Sequence, residues 1–85
     1  MTVHIVYFSW VREKIGKPHE DVELPGDVRT VREFLIWMKS RGEEYEAALE
    51  HMDVIRVALD MEHVHHSDIL GTPYEIALFP PMTGG

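Results

Sequence analysis

The chain has no cysteine. Disulfides, thiolate metal sites and cysteine nucleophiles are thereby excluded. Basic residues are scarce: 8 Lys and Arg stand against 15 Asp and Glu, a net charge of −7. A nucleic-acid binder shows the opposite balance or a local basic stripe. Arg12, Lys14 and Lys17 come nearest to a stripe, and Glu13, Glu20 and Asp21 interrupt or follow it. Long apolar runs are missing as well. None approaches the roughly 18 residues of a membrane helix. Val3 to Phe8 is too short for a signal-peptide core, lacks a basic start and contains His4. The expectation is a soluble cytoplasmic protein with neither nucleic-acid nor membrane partners. No glycine-rich phosphate loop is present, so any ATP is expected to bind a partner.

What is there fits one small folded domain. The 85 residues leave no room for a second domain, and the core is modest. An apolar fraction of 45% with 27% charged residues excludes a disordered or fibrous chain. Val3 to Phe8 is β-branched and aromatic, and apolar on both faces, which predicts a central strand. Ser9 is expected to cap a short helix from Trp10 to Ile15, stopped by Gly16 and Pro18. Asp21 to Leu24 alternates as a half-buried strand, and Pro25-Gly26-Asp27 is a turn.

Thr30-Val31-Arg32-Glu33 matches a capping box and starts the main helix. Val31, Phe34, Leu35 and Met38 fall on one apolar stripe, while Ile36 points away. Gly42 is expected to be a left-handed C-terminal cap. Glu43 to Glu50 predicts a further turn or two of helix, with Tyr45, Leu49 and Ala48 inward. Val54 to Leu59 and Glu62 to His65 predict a hairpin turning near Asp60-Met61. Tyr74 to Phe79 alternates, with Tyr74, Ile76 and Leu78 on one face. The order implies an α+β fold, one mixed sheet with a long helix across one face. The first and last strands are expected in its middle.

After the last strand come Pro80, Pro81, Met82, Thr83, Gly84 and Gly85. The prolines lack amide donors, so they end the ladder and stiffen the exit. The glycines have no β-carbon and fit a narrow channel. Six residues at about 3.3 Å each reach roughly 20 Å. That length places a terminal carboxylate inside another protein's active site. Chain ends usually fray; a stiff proline pair followed by Gly-Gly points instead to a working arm.

These residues resemble a known family. Leu78-Phe79-Pro80-Pro81-Met82-Thr83-Gly84-Gly85 is similar to the ending of molybdopterin synthase small subunits, ubiquitin-like β-grasp sulfur carriers. Tyr7-Phe8-Ser9-Trp10-Val11-Arg12-Glu13 resembles the family's first strand running into its helix. Thr30-Val31 and Val57-Ala58-Leu59-Asp60 lie where that family has its helix start and third strand. The chain departs in its histidine-rich segment and at Asp60, where an asparagine is common.

The resemblance implies a β-grasp domain with a mixed five-stranded sheet over residues 1–79 and a reactive tail over 80–85. It implies a carrier, not an enzyme by itself. The Gly85 carboxylate, presented by Gly84, is adenylated by a ubiquitin-activating-like adenylyltransferase that uses ATP and magnesium; the carrier itself binds no cofactor. A sulfur donor then gives the thiocarboxylate. The tail inserts into the large synthase subunit, in a heterotetramer of two small and two large subunits, and passes sulfur to a cyclic pyranopterin precursor. Phe79, Pro80, Pro81, Met82, Thr83, Phe8 and Arg12 are the partner-binding residues so implied. Two alternatives stay open: a modifier conjugated to lysines through Gly-Gly, and the sulfur carrier of thiamine synthesis.

Other constellations carry less. His63 and His65 would share a strand face with His66 pointing away, short of the three or four convergent ligands a metal needs. The expectation is a solvated edge hairpin. Glu43-Glu44 and Asp60-Glu62 are expected on a solvated face. Phe79 and Ala77 face opposite to Ile76 and Leu78. If the helix covers the inner face, Phe79 is left outward beside the arm, with Phe8 as neighbour. An exposed aromatic there is a docking anchor.

Overall fold

Strand formation begins where β-branched residues are densest. In the computed structural model, which describes residues 1–81, Thr2–Tyr7 forms β1 and Glu75–Phe79 forms β5. The two run parallel side by side, His4 opposite Glu75 and Tyr7 opposite Leu78. His19–Glu23 (β2) pairs antiparallel with the other edge of β1. Arg56–Leu59 (β3) pairs antiparallel with β5, and Glu62–Val64 (β4) completes the order β2-β1-β5-β3-β4. The apolar first and last strands thus lie inside the sheet, as their sequence requires.

The helices Ser9–Ile15 (α1), Val31–Lys39 (α2) and Glu43–Ala48 (α3) share one core with the inner faces of the strands. In α2 the Thr30 hydroxyl accepts from the Glu33 amide at 3.1 Å, and Glu33 accepts from the Thr30 amide at 3.0 Å. The capping box is complete, and Val31, Phe34, Leu35 and Met38 are all buried. Tyr45, Ala48 and Leu49 are buried and Ile36 is exposed, as expected.

Five expectations are corrected. The helical layer is three short helices, not one long one. Ser9 does not cap α1; it is the first helical residue, at φ +55°, and the extended Phe8 takes the N-cap place. Gly42 is extended at φ 164° and opens α3, its carbonyl accepting from the Glu46 amide at 2.9 Å. The end of α2 is taken by Ser40, whose hydroxyl donates to the Trp37 carbonyl at 2.6 Å. Val54 belongs to a 3-10 turn over Met52–Val54, held by local amide bonds, so β3 starts later. Tyr74 leaves the Ile76–Leu78 face and is 88% exposed. Its amide is taken by Asp60 Oδ1 at 2.9 Å rather than by a strand.

Glu20 is the polar centre of the helix side. It lies on the inner side of edge strand β2, opposite Ile5. Its Oε2 accepts from the hydroxyls of Tyr7 and Tyr45, both at 2.6 Å. Arg41 grips both carboxylate oxygens at 3.1 and 3.2 Å, and Lys17 stands at 3.7 Å. Burial by itself would raise the Glu20 pKa. The hydrogen bonds from Arg41, Tyr45 and Tyr7, with the Arg41 charge, win and hold it at about 2. Burial and the neighbouring carboxylate push Tyr7 up and keep it a donor.

Two outcomes follow from this packing. Because the folded pKa of Glu20 lies below its ordinary 4.5, its contribution is full above pH 4.5 and fades as pH falls toward about 2. Glu20→Ala should cost about 2–3 kcal/mol in urea titration at pH 7, with a smaller loss at pH 3. The β3–β4 turn offers the opposite case. Met61 sits at φ +71° in the left-handed region. Met61→Gly should stabilise by about 0.5–1 kcal/mol in the same titration, because glycine carries no β-carbon penalty there.

Candidate functional site

The sheet has an open face, turned away from the helices. Alternation puts Val6 of β1 and the extended Phe8 just past its end, Ala77 and Phe79 of β5, Arg56 and Ala58 of β3, and His63 of β4 on that side. Val6 lies opposite Ala77, Ala77 opposite Ala58, and Ala58 opposite His63. Phe79 lies opposite Arg56. No helix of the described residues covers this face, yet Ala58 and Ala77 are only 5% and 8% exposed. Their side chains are short and lie low between larger neighbours, forming the floor of the patch.

Aromatic rings rise from that floor. Phe79 meets Phe8 edge to face, centroids 6.4 Å apart at 84°. It meets His63 in the same manner at 5.2 Å and 76°. Such contacts favour the tilted arrangement because ring edges are positive and ring faces negative. The Phe8 amide donates to the Leu78 carbonyl at 3.1 Å, tying the two strand ends together. Phe8 is 47% exposed and Phe79 half-buried. The chain leaves the sheet at this point through Pro80 and Pro81, both half-buried.

Of the residues expected to bind a partner, Phe8, Phe79, Pro80 and Pro81 are therefore brought to one place. Arg12 is exposed on α1, one helical turn after Phe8. Met82, Thr83, Gly84 and Gly85 lie outside the described residues. Arg56 and His63 were missed. Both project from strands whose register with Phe79 no local pattern reveals. Neither Arg12 nor Arg56 forms an ion pair with another described residue.

The histidines separate. His63 stands against Phe79, His65 falls just past the end of β4, and His66 Nε2 lies 2.8 Å from the Ile55 carbonyl. Asp68 closes this turn by accepting the His65 amide at 2.8 Å. Among the described residues no group of three or more His, Asp or Glu is placed to hold a metal. The paired carboxylates have structural places. Glu43 and Glu44 occupy the first turn of α3, where the helix dipole favours them. Asp60 Oδ1 accepts the Tyr74 and Glu75 amides at 2.9 and 3.0 Å. No helix of the described residues is long and apolar enough to cross a membrane.

A mixed five-stranded sheet with the two terminal strands parallel in its middle, and helices on one face only, defines a ubiquitin-like β-grasp domain. The chain belongs to the ThiS family of ubiquitin-like sulfur carriers, whose model matches residues 5–85. It is similar to SAMP1 of Haloferax volcanii, small archaeal modifier protein 1, at 26% identity over the whole of both chains, TM-score 0.72. It is similar to a putative molybdopterin converting factor subunit 1 from Pyrococcus furiosus, at 21% identity over 96% of this chain and 99% of that one, TM-score 0.73. A complex of subunits 1 and 2 of molybdopterin-converting factor from Helicobacter pylori contains a chain 21% identical over the full length of both, TM-score 0.61. At 21% identity the last two structures speak for the fold. No curated protein matches the chain.

Phe8 touches solvent and not the main core. Phe8→Ser should therefore change unfolding free energy by no more than about 1 kcal/mol in urea. Phe34→Ala, from the fully buried helix stripe, should cost about 3–5 kcal/mol.

Proposed function

We propose that the chain is the sulfur-carrying small subunit of a molybdopterin synthase. One observation carries this reading: the aromatic pair Phe8 and Phe79 stands where the chain leaves the sheet toward Gly84 and Gly85. A docking surface and a reactive arm are thus adjacent. The double-proline ending, which resembles that of molybdopterin synthase small subunits, supports this pathway over thiamine synthesis.

The chemistry follows from the inertness of a carboxylate. A Gly85 oxygen attacks the α-phosphorus of ATP, held with magnesium on an adenylyltransferase, and pyrophosphate leaves. The acyl-adenylate now has a good leaving group, so a sulfur nucleophile forms the C–S bond as AMP departs. With no cysteine in the chain, the sulfur rides on the Gly85 carbonyl. The arm then enters the large subunit, where a pyranopterin precursor receives the sulfur. Phe8, Phe79 and the prolines seat the arm, Met82 and Thr83 within it are its own contacts with the large subunit, and Arg12 and Arg56 meet acidic groups of the partner beside it. Elsewhere the surface charge of −7 fits basic partner surfaces.

A second reading is favoured by the likeness to SAMP1. Here the activated Gly85 carbonyl is captured by a lysine amine of another protein, forming an isopeptide bond.

Intact-mass spectrometry after incubation with the activating enzyme, ATP, magnesium and a sulfur source should show one oxygen replaced by sulfur. An unchanged mass, where a control carrier is loaded, sinks the carrier reading. Lysine-linked adducts in cells, lost on deletion of Gly85, mark the modifier instead. Phe8→Ala and Phe79→Ala should each weaken binding to the large subunit by about tenfold, read by titration calorimetry.

A further inference from the structure

A second surface lies at the opposite end of β5. Met61 and Tyr74 are each 88% exposed, the highest values among the large apolar residues described. They are not scattered. Together with Asp60 and Glu75 they line one open cavity of about 390 Å³. A single exposed apolar side chain needs no explanation, but two that share a cavity form a patch.

The patch is held rigidly. Asp60 donates its amide to the Glu75 carbonyl at 2.9 Å. Its Oδ1 takes the amides of both Tyr74 and Glu75. The Tyr74 carbonyl accepts the His4 amide at 3.0 Å. Backbone on both sides is therefore fixed while the two side chains project. A tyrosine loses little rotamer freedom on binding, and a methionine adapts its shape to what it meets. Both residue types are enriched at protein interfaces.

Charge selects the occupant. The lining holds two carboxylates, Asp60 and Glu75, and no Lys or Arg. Glu62 follows directly at the start of β4. His4, the register partner of Glu75, is already engaged by Asp21 at 2.7 Å. A two-fold dimer through this patch would set like charges against each other. A partner carrying Lys or Arg beside an apolar side chain satisfies both parts.

We propose that the Met61–Tyr74 cavity is a docking surface for a basic, apolar segment of a partner protein. It lies about 17 Å from Phe79, five strand residues along β5. The chain is thereby held at one end while its arm is used at the other. The proposal stands apart from the sulfur-carrier reading and survives that reading's failure.

The test uses the full-length chain, 15N-labelled, and two synthetic amphipathic peptides. One carries leucine and lysine at helical spacing; in the other every lysine is glutamate. The lysine peptide should shift the amides of residues 60–62 and 74–75, and the glutamate peptide should not. Met61→Gly with Tyr74→Ser should weaken the lysine peptide at least fivefold. Tyr74→Ser keeps the backbone amide that Asp60 binds, and circular dichroism confirms folding. Sedimentation checks the rival occupant. Shifts centred on Phe8 and Phe79, unchanged affinity in the double variant, equal response to both peptides, or a wild-type dimer abolished by the variant each overturns the proposal.

Discussion

The parallel pairing of β1 with β5 is the constraint from which the rest follows. Strands that run in the same direction cannot be joined by a tight turn. Everything from Phe8 to Tyr74 is the connection between them. It winds through three helices and three further strands before the chain returns beside its own beginning. The bond from the Phe8 amide to the Leu78 carbonyl closes the circuit at one end, and that from His4 to Tyr74 closes it at the other. The point where the chain leaves the sheet at Pro80 is therefore fixed by the N-terminal strand. Phe8, near the start of the chain, and Phe79, near its end, meet for this reason.

Local chemistry was legible where it is self-contained. Thr30 and Glu33 satisfy each other within a single turn, so the capping box can be read from four residues and it stands as read. The helix stripe and the apolar central strands depend only on periodicity. What failed depends on contacts distant in sequence. Tyr74 alternates correctly with Ile76, but Asp60 draws its amide out of the strand pattern. Gly42 has the residue type of a helix stop, yet Ser40 reaches the Trp37 carbonyl first. The Glu20 cluster joins positions 7, 20, 41 and 45 from separate elements. The Phe8–Phe79 contact was foreseen because both outward faces and the strand order were inferable. His63 was not, since its approach to Phe79 passes over Ala58 of an intervening strand.

Asp60 shows how one side chain can serve both a turn and a surface. The position accepts two backbone amides through one side-chain oxygen and adopts φ +48°. Asparagine offers the same carbonyl oxygen and tolerates the same backbone region. The exchange of one for the other alters charge beside the Met61–Tyr74 cavity while preserving the turn. A fold-keeping position and a surface-tuning position coincide in one residue.

The inward carboxylate of Glu20 has a meaning beyond the helices it ties down. It sits on β2, a sheet edge whose outer backbone groups are open to any passing strand. A charged side chain turned inward on an edge strand resists pairing with a second copy, since a flat continuation of the sheet would have to accommodate it. Asp21 and Glu23 add like charges on the opposite face. The other edge, β4, is only three residues long. Charge at one edge and shortness at the other both work against the addition of a second strand.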